Sequence, residues 1–481
     1  MSAGIETPLV VDLDGTLTPC DTLVEGTLKL VRRSPRHLLF LPLWLLRGRA
    51  GFKVRLAAHA GVSADQLPYN EEFLTYLRAE KARGRRIVLA TAAHSSIADG
   101  VAQHLGLFDY VLATSEGSNL KGAAKLLALR RVVGEDFLYA GDSGADMPIW
   151  VASGKAILVG ASARTARAAR AAVPVEREFG GGRTPLPVWL RALRVHQWLK
   201  NLLLFVPLLT AFSFLEHGKI GPLLLAFVAF CMMASATYLV NDLWDLESDR
   251  AHPRKRLRPF ASGQLPILHG VAAAGGLLAV SLVLAWAVSP PFLAMLLLYL
   301  LLTCAYSWEL KEHVMVDVLT LSLLYTLRIQ AGSVALGITT SSWLLAFSVF
   351  IFLSLALIKR CSELVSLQRE GGTATRGRDY RVGDLVVLWP LGLGSSLCAV
   401  VVLGLFISAP ETAARYSTPG LLWLAAFGLI YWLARMWIKT SRGEMHDDPI
   451  VYAIKDAGSR LAIASMVAVV LLARFVHLPS L

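Results

Sequence analysis

Residues 9–18 read LVVDLDGTLT, an apolar run that leads into two carboxylates and a tight glycine turn. The run is short and is followed at once by Asp12, so it predicts a buried strand and not the hydrophobic region of a signal peptide. At the end of that strand Asp14 can curl back over the site, so that one carboxylate attacks phosphorus while the other moves the proton. The stretch therefore favours an α/β domain with phosphoryl-transfer chemistry. The alternative is a strand-terminal turn without a chemical role.

Three later segments of the first 180 residues also place polar side chains after or between short apolar runs. Residues 86–90 (RIVLA) predict a second strand that ends in Thr91, whose hydroxyl can hold phosphate. Residues 119–122 (NLKG) supply Lys121, and residues 138–146 (LYAGDSGAD) lead from an apolar run into an acidic turn.

The order of these segments resembles the phosphatases of the haloacid dehalogenase superfamily over roughly residues 7–175, which implies a Rossmann-like α/β fold. The resemblance implies Asp12 as nucleophile, Asp14 as general acid and base, and Thr91 and Lys121 as phosphate ligands, with Lys125 less favoured for the lysine role. It further implies Mg²⁺ held by the set Asp12, Asp14, Asp142 and Asp146. A cation is needed chemically, because Asp12 and a phosphate repel each other unless both are neutralised.

The segment 21–85 has mostly helical patterns and lies where such phosphatases carry a specificity cap. Within it, residues 37–46 (HLLFLPLWLL) are apolar and flanked by arginines. At roughly ten residues this run is too short to span a bilayer. Two interpretations remain open: an interfacial helix with Trp44 at the level of the lipid headgroups, or a cap core with a basic rim.

The composition changes near residue 180. Over all 481 residues, 55% are hydrophobic and 17% are charged, with a mean hydropathy of +0.54. This is too apolar for a soluble enzyme and too charged for a chain that is membrane throughout. The glycines of residues 180–185 (GGGRTP) predict a flexible joint. We therefore predict an α/β domain at 1–180, a linker at 181–193 and an all-α membrane domain at 194–481.

Nine apolar segments of the second domain are candidate membrane spans. They lie near residues 199–215, 221–240, 267–288, 291–308, 314–337, 342–358, 386–408, 420–438 and 460–477. The loops at 241–266, 359–385 and 439–459 are rich in lysine and arginine, and the alternate connections carry almost none. The positive-inside rule then predicts a multi-pass protein of the inner membrane, with the N-terminus and the basic loops cytoplasmic and the C-terminus outside. We therefore attribute the net charge of +12 to the basic cytoplasmic loops and to the binding of an anionic substrate. It does not indicate binding of a nucleic acid.

Residues 237–250 (TYLVNDLWDLESDR) close the second span with an acidic motif. Asp242, Asp245 and Asp249 are three and four residues apart, so the spacing predicts that they share one helix face. Oxygen ligands of this kind suit Mg²⁺ that carries a diphosphate. The cations that follow and could neutralise the same group are Lys255, Arg256 and Arg258. A solvated acidic helix end is the alternative.

This motif resembles the UbiA superfamily of intramembrane prenyltransferases, and the resemblance covers about residues 190–477. In that family the motif binds Mg²⁺-diphosphate. Most members carry a second aspartate-rich motif after the sixth span, but here residues 358–364 (IKRCSEL) hold one acid and two cations. The departure argues against ordinary transfer of a prenyl group from a prenyl diphosphate.

Residues 194–201 (RVHQWLKN), 252–259 (HPRKRLRP) and 357–364 (LIKRCSEL) look like one branch, the decaprenyl-phosphate phosphoribosyltransferases. Those enzymes join 5-phosphoribosyl diphosphate to a polyprenyl phosphate and release diphosphate. The resemblance, together with the charge of these ligands, implies substrate contacts from Lys200, Asn201, Asn241, Lys255, Arg256, Arg258, Arg328, Lys359, Arg360 and Glu363. Arg328 lies about three turns from Asp317 in one span, so it is either functional or half of a structural ion pair. Residues 446–448 (HDD) either help to bind substrate or form a surface turn, and the surface turn is the favoured interpretation.

The two domains together predict a two-step enzyme that uses Mg²⁺. Phosphoribose is transferred to polyprenyl phosphate at the membrane, and Asp12 then removes the 5-phosphate to give a polyprenyl-phosphate pentose for cell-envelope glycans. One alternative is an aromatic prenyltransferase whose phosphatase domain acts on another metabolite. A second alternative is a transporter or lipid-binding protein. The sequence does not indicate the oligomeric state or the length of the lipid.

Overall fold

The computed structural model describes residues 7–46, 48–115, 120–180, 185–375, 377–445 and 448–477. The chain forms two compact units, Met1–Leu193 with Tyr238–Gly275 and Arg194–Thr237 with Gly276–Leu481. The segment Tyr238–Gly275, which carries the acidic motif, therefore packs with the N-terminal unit. Residues 181–184 of the predicted linker lie outside the described residues.

The N-terminal unit is built on a six-stranded parallel sheet with the order β3-β2-β1-β4-β5-β6. The strands are β1 (Leu9–Val11), β2 (Ile87–His94), β3 (Tyr110–Thr114), β4 (Leu138–Gly141), β5 (Ala156–Val159) and β6 (Val175–Phe179). The predicted α/β fold is thus confirmed. Because β1 pairs with β2 on one side and with β4 on the other, the strand order reverses there. Open parallel sheets bind ligands at the carboxyl ends of the strands at such a point.

Helices cover both faces of this sheet, because both sets of alternating side chains are apolar. In β1, Leu9 and Val11 join one hydrophobic cluster and Val10 joins the other. The α-helices of the unit are Thr22–Arg33, Leu41–Leu46, Arg49–His59, Glu71–Ala82, Ser95–Leu105, Ala123–Val133, Met147–Ser153, Ala163–Ala172, Leu186–Ala192 and Leu246–Ala251. Of these, Glu71–Ala82 packs Phe73 and Leu77 into the cluster that covers one face of the sheet. The first three form the helical cap between β1 and β2. Asp21 caps the first of them by accepting a hydrogen bond from the backbone N–H of Leu23.

The described part of the chain has eight helices that are long and apolar enough to cross a membrane. They are Gly218–Trp244, Ile267–Val288, Pro290–Trp308, Val316–Leu336, Ser342–Arg369, Val382–Ser408, Pro419–Ser441 and Ala457–Phe475. Shorter helices lie between them at Pro410–Arg415 and Pro449–Lys455. The chain is thus a multi-pass membrane protein, with one long helix fewer than the nine predicted.

The difference lies in the first predicted span, 199–215, which is not one helix. It consists of a 3-10 helix at Val195–Phe205, a short α-helix at Val206–Thr210 and a 3-10 turn at Ser213–Leu215. Phe212 has a φ of +56°, which interrupts the helix. The Leu204 carbonyl approaches the backbone of Gly332 so closely that a Cβ there would lie 2.1 Å from the oxygen. The broken segment is therefore held against the helix Val316–Leu336.

Candidate active sites

The carboxyl ends of β1 and β4 bring three of the predicted metal ligands together. Asp12 follows β1, Asp142 follows β4, and Asp146 lies in the next turn, Gly144–Asp146. One carboxylate oxygen from each lies within 4.8 Å of the other two. Carboxylates this close repel one another unless a cation lies among them, and hard oxygen ligands suit Mg²⁺. The donor set therefore fits the predicted cation.

Asp14 is not part of this close group and turns toward the cap. Its Oδ1 accepts a hydrogen bond of 2.9 Å from the backbone N–H of Thr22, the first residue of the cap helix Thr22–Arg33. Burial raises the pKa of Asp14 to about 7. A carboxyl group that keeps its proton near neutral pH can act as a general acid. This geometry agrees better with the predicted proton-transfer role than with metal ligation.

Asp12 pairs with Lys125 and not with Lys121, which the sequence favoured. The Lys125 ammonium lies 2.8 Å from Asp12 Oδ2 and donates a hydrogen bond of 2.6 Å to the hydroxyl of Tyr139. Burial raises the pKa of Asp12, and Lys125 only partly offsets this effect. Lys121 is exposed at the cavity that Asp12 lines. The two lysines are four positions apart in the sequence, and only the tertiary structure shows which of them contacts Asp12.

Thr91 lies inside β2 and not after it, with a fully buried side chain. Its hydroxyl oxygen accepts a hydrogen bond of 3.0 Å from the backbone N–H of Ala93. The cap helix Arg49–His59 contributes a lysine that the sequence analysis missed. Lys53 lines the same cavity and donates a hydrogen bond of 2.6 Å to the Ala92 carbonyl. A single lysine in a cap helix belongs to no motif, so no local signal could have identified it.

The acidic motif does not form one continuous helix face. Asp242 lies in the helix His217–Trp244, Asp249 lies in the helix Leu246–Ala251, and Asp245 is the residue at which the first helix ends and the second begins. Two of the three carboxylates still converge, because Arg258 Nη1 lies 3.2 Å from Asp242 Oδ1 and 2.6 Å from Asp249 Oδ2. Of the other predicted cations, Lys255 and Arg256 are exposed.

Asp249 provides the observation that tests the motif as a metal site. Its side chain is buried, and burial raises its pKa even though Arg258 is close. Its second oxygen, Oδ1, is also buried and has no hydrogen-bond partner among the described residues. A buried acceptor without a partner is costly. The vacant lone pairs fit a hard cation, so the donor chemistry of the motif is compatible with Mg²⁺.

The membrane unit gathers four predicted substrate ligands around two tyrosines and the carboxylate of Asp448. Asp448 Oδ2 accepts from Lys200 Nζ at 2.8 Å and lies 3.5 Å from Lys359 Nζ. Its side chain is 11% exposed, so the interpretation of residues 446–448 as a surface turn was wrong for Asp448. Residues 446–447 lie outside the described residues. Asp448 also caps the helix Pro449–Lys455, because its Oδ1 accepts a hydrogen bond of 3.2 Å from the backbone N–H of Ile450.

Arg328 is buried in the same group. It donates to Asn201 Oδ1 at 3.0 Å and to the hydroxyl of Tyr299 at 2.8 Å. The ring of Tyr325 lies between the cations, 5.3 Å from the Arg328 guanidinium and 5.8 Å from Lys200 Nζ. Among the described residues no carboxylate pairs with Arg328, so it is not half of an ion pair with Asp317.

Asp317 pairs instead with Arg360, which sequence analysis assigned to the substrate. The Arg360 guanidinium is 1% exposed, binds both oxygens of Asp317 and donates to Glu363. The hydroxyl of Tyr306 donates to Asp317 Oδ1 at 2.8 Å. Both Arg360 and Glu363 therefore contribute to a neutralised network, whereas Arg328 has no carboxylate partner among the described residues.

Comparison with known proteins agrees with both motif assignments. Residues 204–473 match the UbiA prenyltransferase family, and residues 9–150 match the haloacid dehalogenase-like hydrolases. An uncharacterized protein of Sinorhizobium fredii is 40% identical over 459 residues, covering 94% of this chain and 88% of that protein. A decaprenyl-phosphate phosphoribosyltransferase of Mycolicibacterium smegmatis is 35% identical over 229 residues, covering 47% of this chain and 71% of that protein. A solved UbiA homologue of Archaeoglobus fulgidus, bound to GPP and Mg²⁺, covers 59% of this chain and 99% of its own, with 19% identity and a TM-score of 0.45.

Proposed function

Because this chain belongs to the UbiA prenyltransferase family and carries an N-terminal haloacid dehalogenase-like domain, we propose that it is a bifunctional membrane enzyme. The membrane site transfers 5-phosphoribose from 5-phosphoribosyl diphosphate to a polyprenyl phosphate. The phosphatase site then removes the 5-phosphate. The product is a polyprenyl-phosphate pentose, a sugar donor for cell-envelope glycans.

The observation that carries this proposal is the buried Arg328 guanidinium, which pairs with no carboxylate among the described residues. Nearby, the Asp448 carboxylate lies 2.8 Å from Lys200 Nζ and 3.5 Å from Lys359 Nζ. Buried charges are expensive unless they are paired, so a phosphate is the ligand that this group best fits. The similarity to a decaprenyl-phosphate phosphoribosyltransferase of M. smegmatis also supports a phosphoribosyl donor and a polyprenyl phosphate as the substrates. It favours them over a prenyl diphosphate with an aromatic acceptor.

The transfer step requires positioning and charge neutralisation more than proton transfer. An oxygen of the ionised lipid phosphate attacks the anomeric carbon of the sugar, and the bond from that carbon to the diphosphate oxygen breaks. The electron pair leaves with the diphosphate, so no base is needed. Mg²⁺ at the acidic motif would neutralise the leaving diphosphate. In this proposal Arg328, Lys200 and Lys359 hold phosphate groups in place.

The hydrolytic step uses Asp12 and Asp14. A carboxylate oxygen of Asp12 attacks phosphorus, the bond from phosphorus to the sugar 5-oxygen breaks, and Asp14 donates its proton to that oxygen. Water then attacks the phosphorus of the aspartyl phosphate, and Asp14 takes up the proton of the water. The bond from phosphorus to the Asp12 oxygen breaks, which restores the Asp12 carboxylate and releases inorganic phosphate. Lys125 lies 2.8 Å from Asp12 and is placed to neutralise the phosphate as it approaches.

The test is an assay on the detergent-purified full chain with labelled 5-phosphoribosyl diphosphate, polyprenyl phosphate and Mg²⁺. We expect labelled lipid from the parent and none from Asp242→Asn. The Asp12→Asn variant should accumulate a labelled lipid that retains its 5-phosphate. The absence of labelled lipid with the parent, together with consumption of a prenyl diphosphate and an aromatic acceptor, would establish the aromatic prenyltransferase instead.

A further inference from the structure

The phosphatase cavity has a wall that does not come from the phosphatase domain. This cavity of about 630 Å³ is lined by Asp12 and Asp14 and also by Pro266, Ile267 and Leu268. Ile267 is the first residue of the candidate membrane span Ile267–Val288. All of these residues belong to one compact unit. The start of a membrane helix thus lies at the catalytic carboxylates of a phosphatase.

Buried contacts fasten this segment to the cap. The guanidinium of Arg250 forms an ion pair with Glu25, and both side chains are less than 10% exposed. The same guanidinium donates at 3.3 Å to the sulfur of Cys20 and at 3.2 Å to the carbonyl of Ala261. Glu247 adds a pair with Lys29 at 2.6 Å. A buried ion pair persists only where the surrounding structure holds both partners in place, so the contact is built in and not incidental.

A close backbone approach supports the same conclusion. Gly263 has a φ of +74°, and a Cβ at this position would lie 2.4 Å from Cγ of Pro19. Only glycine combines this conformation with such a short distance. Phe260 and Leu265, on either side of it, are buried almost completely. The loop that precedes the membrane helix is therefore fitted to the turn that follows the catalytic aspartates.

The lining of the cavity combines polar and apolar side chains. Carboxylates and lysines contribute the polar part, and Phe52, Leu56 and Ile267 contribute the apolar part. Leu268 also lines the cavity and is 58% exposed in the first turn of the membrane helix. An exposed leucine in the cavity wall contributes nothing to the binding of a free sugar phosphate, but it suits a substrate with an attached hydrocarbon chain.

We propose that this phosphatase cavity is a subsite for lipid-linked phosphomonoesters, and that Leu268 contacts the hydrocarbon part of the substrate. The inference rests on the proposed function for the identity of the sugar, but not for the class of substrate. Residues 266–268 do not prevent any phosphomonoester from reaching the carboxylates. They lower the KM only for phosphomonoesters that carry a lipid. Soluble phosphomonoesters use the same carboxylates without this contact.

The test compares two phosphatase substrates on the full chain in detergent micelles. These are ribose 5-phosphate and a synthetic farnesyl-phosphoryl 5-phosphoribose, and inorganic phosphate release is measured for each. We expect kcat/KM to be at least about tenfold higher for the lipid-linked substrate. Leu268→Gln should raise the KM of the lipid-linked substrate by about tenfold. The kcat/KM of the variant for ribose 5-phosphate should stay within about twofold of the parent value. Val271→Gln is the matched control, since Val271 is 51% exposed on the same helix and does not line the cavity.

Equal kcat/KM for the two substrates, or an equal effect of Leu268→Gln on both, would overturn the inference. Hydrolysis of ribose 5-phosphate alone would overturn it as well. Farnesyl phosphate separates the inference from the proposed function. If farnesyl phosphate is hydrolysed with the same dependence on Leu268 while the phosphoribosyl lipid is not, the sugar assignment fails and the lipid subsite stands.

Discussion

At the scale of single residues, Asp142 holds a proton at pH values where most aspartates have none, because burial and the nearby Asp146 raise its pKa to about 7. A carboxylate must be ionised to bind Mg²⁺, so protons compete with the cation below this pKa. We predict that Mg²⁺ affinity at the phosphatase site falls as pH decreases from 7 to 5.5, by about tenfold per pH unit for each proton displaced. Isothermal titration of the full chain in the Asp242→Asn background isolates this site, and Asp146→Asn is the control that should remove the binding. An affinity that does not vary over this range would contradict the prediction.

The second prediction concerns which of two lysines, Lys125 or Lys121, assists Asp12 in the phosphatase site. Lys125 contacts Asp12 Oδ2 and is buried, whereas Lys121 is exposed. Removing the buried ammonium leaves the attacking carboxylate and the incoming phosphate to repel each other. Lys125→Met should therefore lower kcat for ribose 5-phosphate hydrolysis by about 10²–10³, the cost of losing one electrostatic ligand of a transition state. Lys121→Met should lower it by less than about tenfold, and the reverse order would return the lysine role to Lys121.

At the scale of elements, the loop before the helix Ile267–Val288 depends on one glycine. Gly263→Ala places a Cβ 2.4 Å from Cγ of Pro19 at a positive φ, so either the loop or the turn must move. We expect a loss of about 2 kcal/mol, which lowers the thermal midpoint of the N-terminal unit by about 5 °C. Gly100→Ala is the control, because no atom lies within 4 Å of its added Cβ and the site is inside the helix Ser95–Leu105. It should be neutral or slightly stabilising, and equal midpoints for the two variants would show that the loop tolerates the displacement.

The elements also show what the sequence could predict. Short apolar runs followed by aspartates predicted β1 and β4, since burial and local turn chemistry act over a few residues. The helix break at Asp245 and the interruption at Phe212 were missed, because both conformations are set by packing and not by spacing. The ion pair of Asp448 was missed for the same reason. Its carboxylate meets Lys200, which is 248 residues away along the chain, and no local pattern records such a contact.

At the scale of the whole molecule, the packing of Tyr238–Gly275 with Met1–Leu193 constrains the membrane topology. The ion pair between Glu25 and Arg250 requires both residues to lie on the same side of the bilayer. The helix Gly218–Trp244 crosses the bilayer once between them. A second crossing is therefore needed before it, and the broken segment 195–215 is the stretch that can supply it. Eight long helices and one interrupted segment then give the nine crossings that the loop charges predict.

A topology of nine crossings predicts the side of the membrane on which three engineered cysteines lie, each at an exposed position. Ala163→Cys in the N-terminal unit and Ser441→Cys at the end of the helix Leu422–Ser441 should both be cytoplasmic. In intact cells neither should react with a membrane-impermeant maleimide, and both should react after permeabilisation. Ala414→Cys, in a connection with few basic residues, should react in intact cells. Because seven long helices lie between the N-terminal unit and Ser441, these two sites share a side only if the segment 195–215 also crosses. Labelling of Ala163→Cys and Ser441→Cys from opposite sides would mean that it does not cross, and would contradict the contact between Glu25 and Arg250.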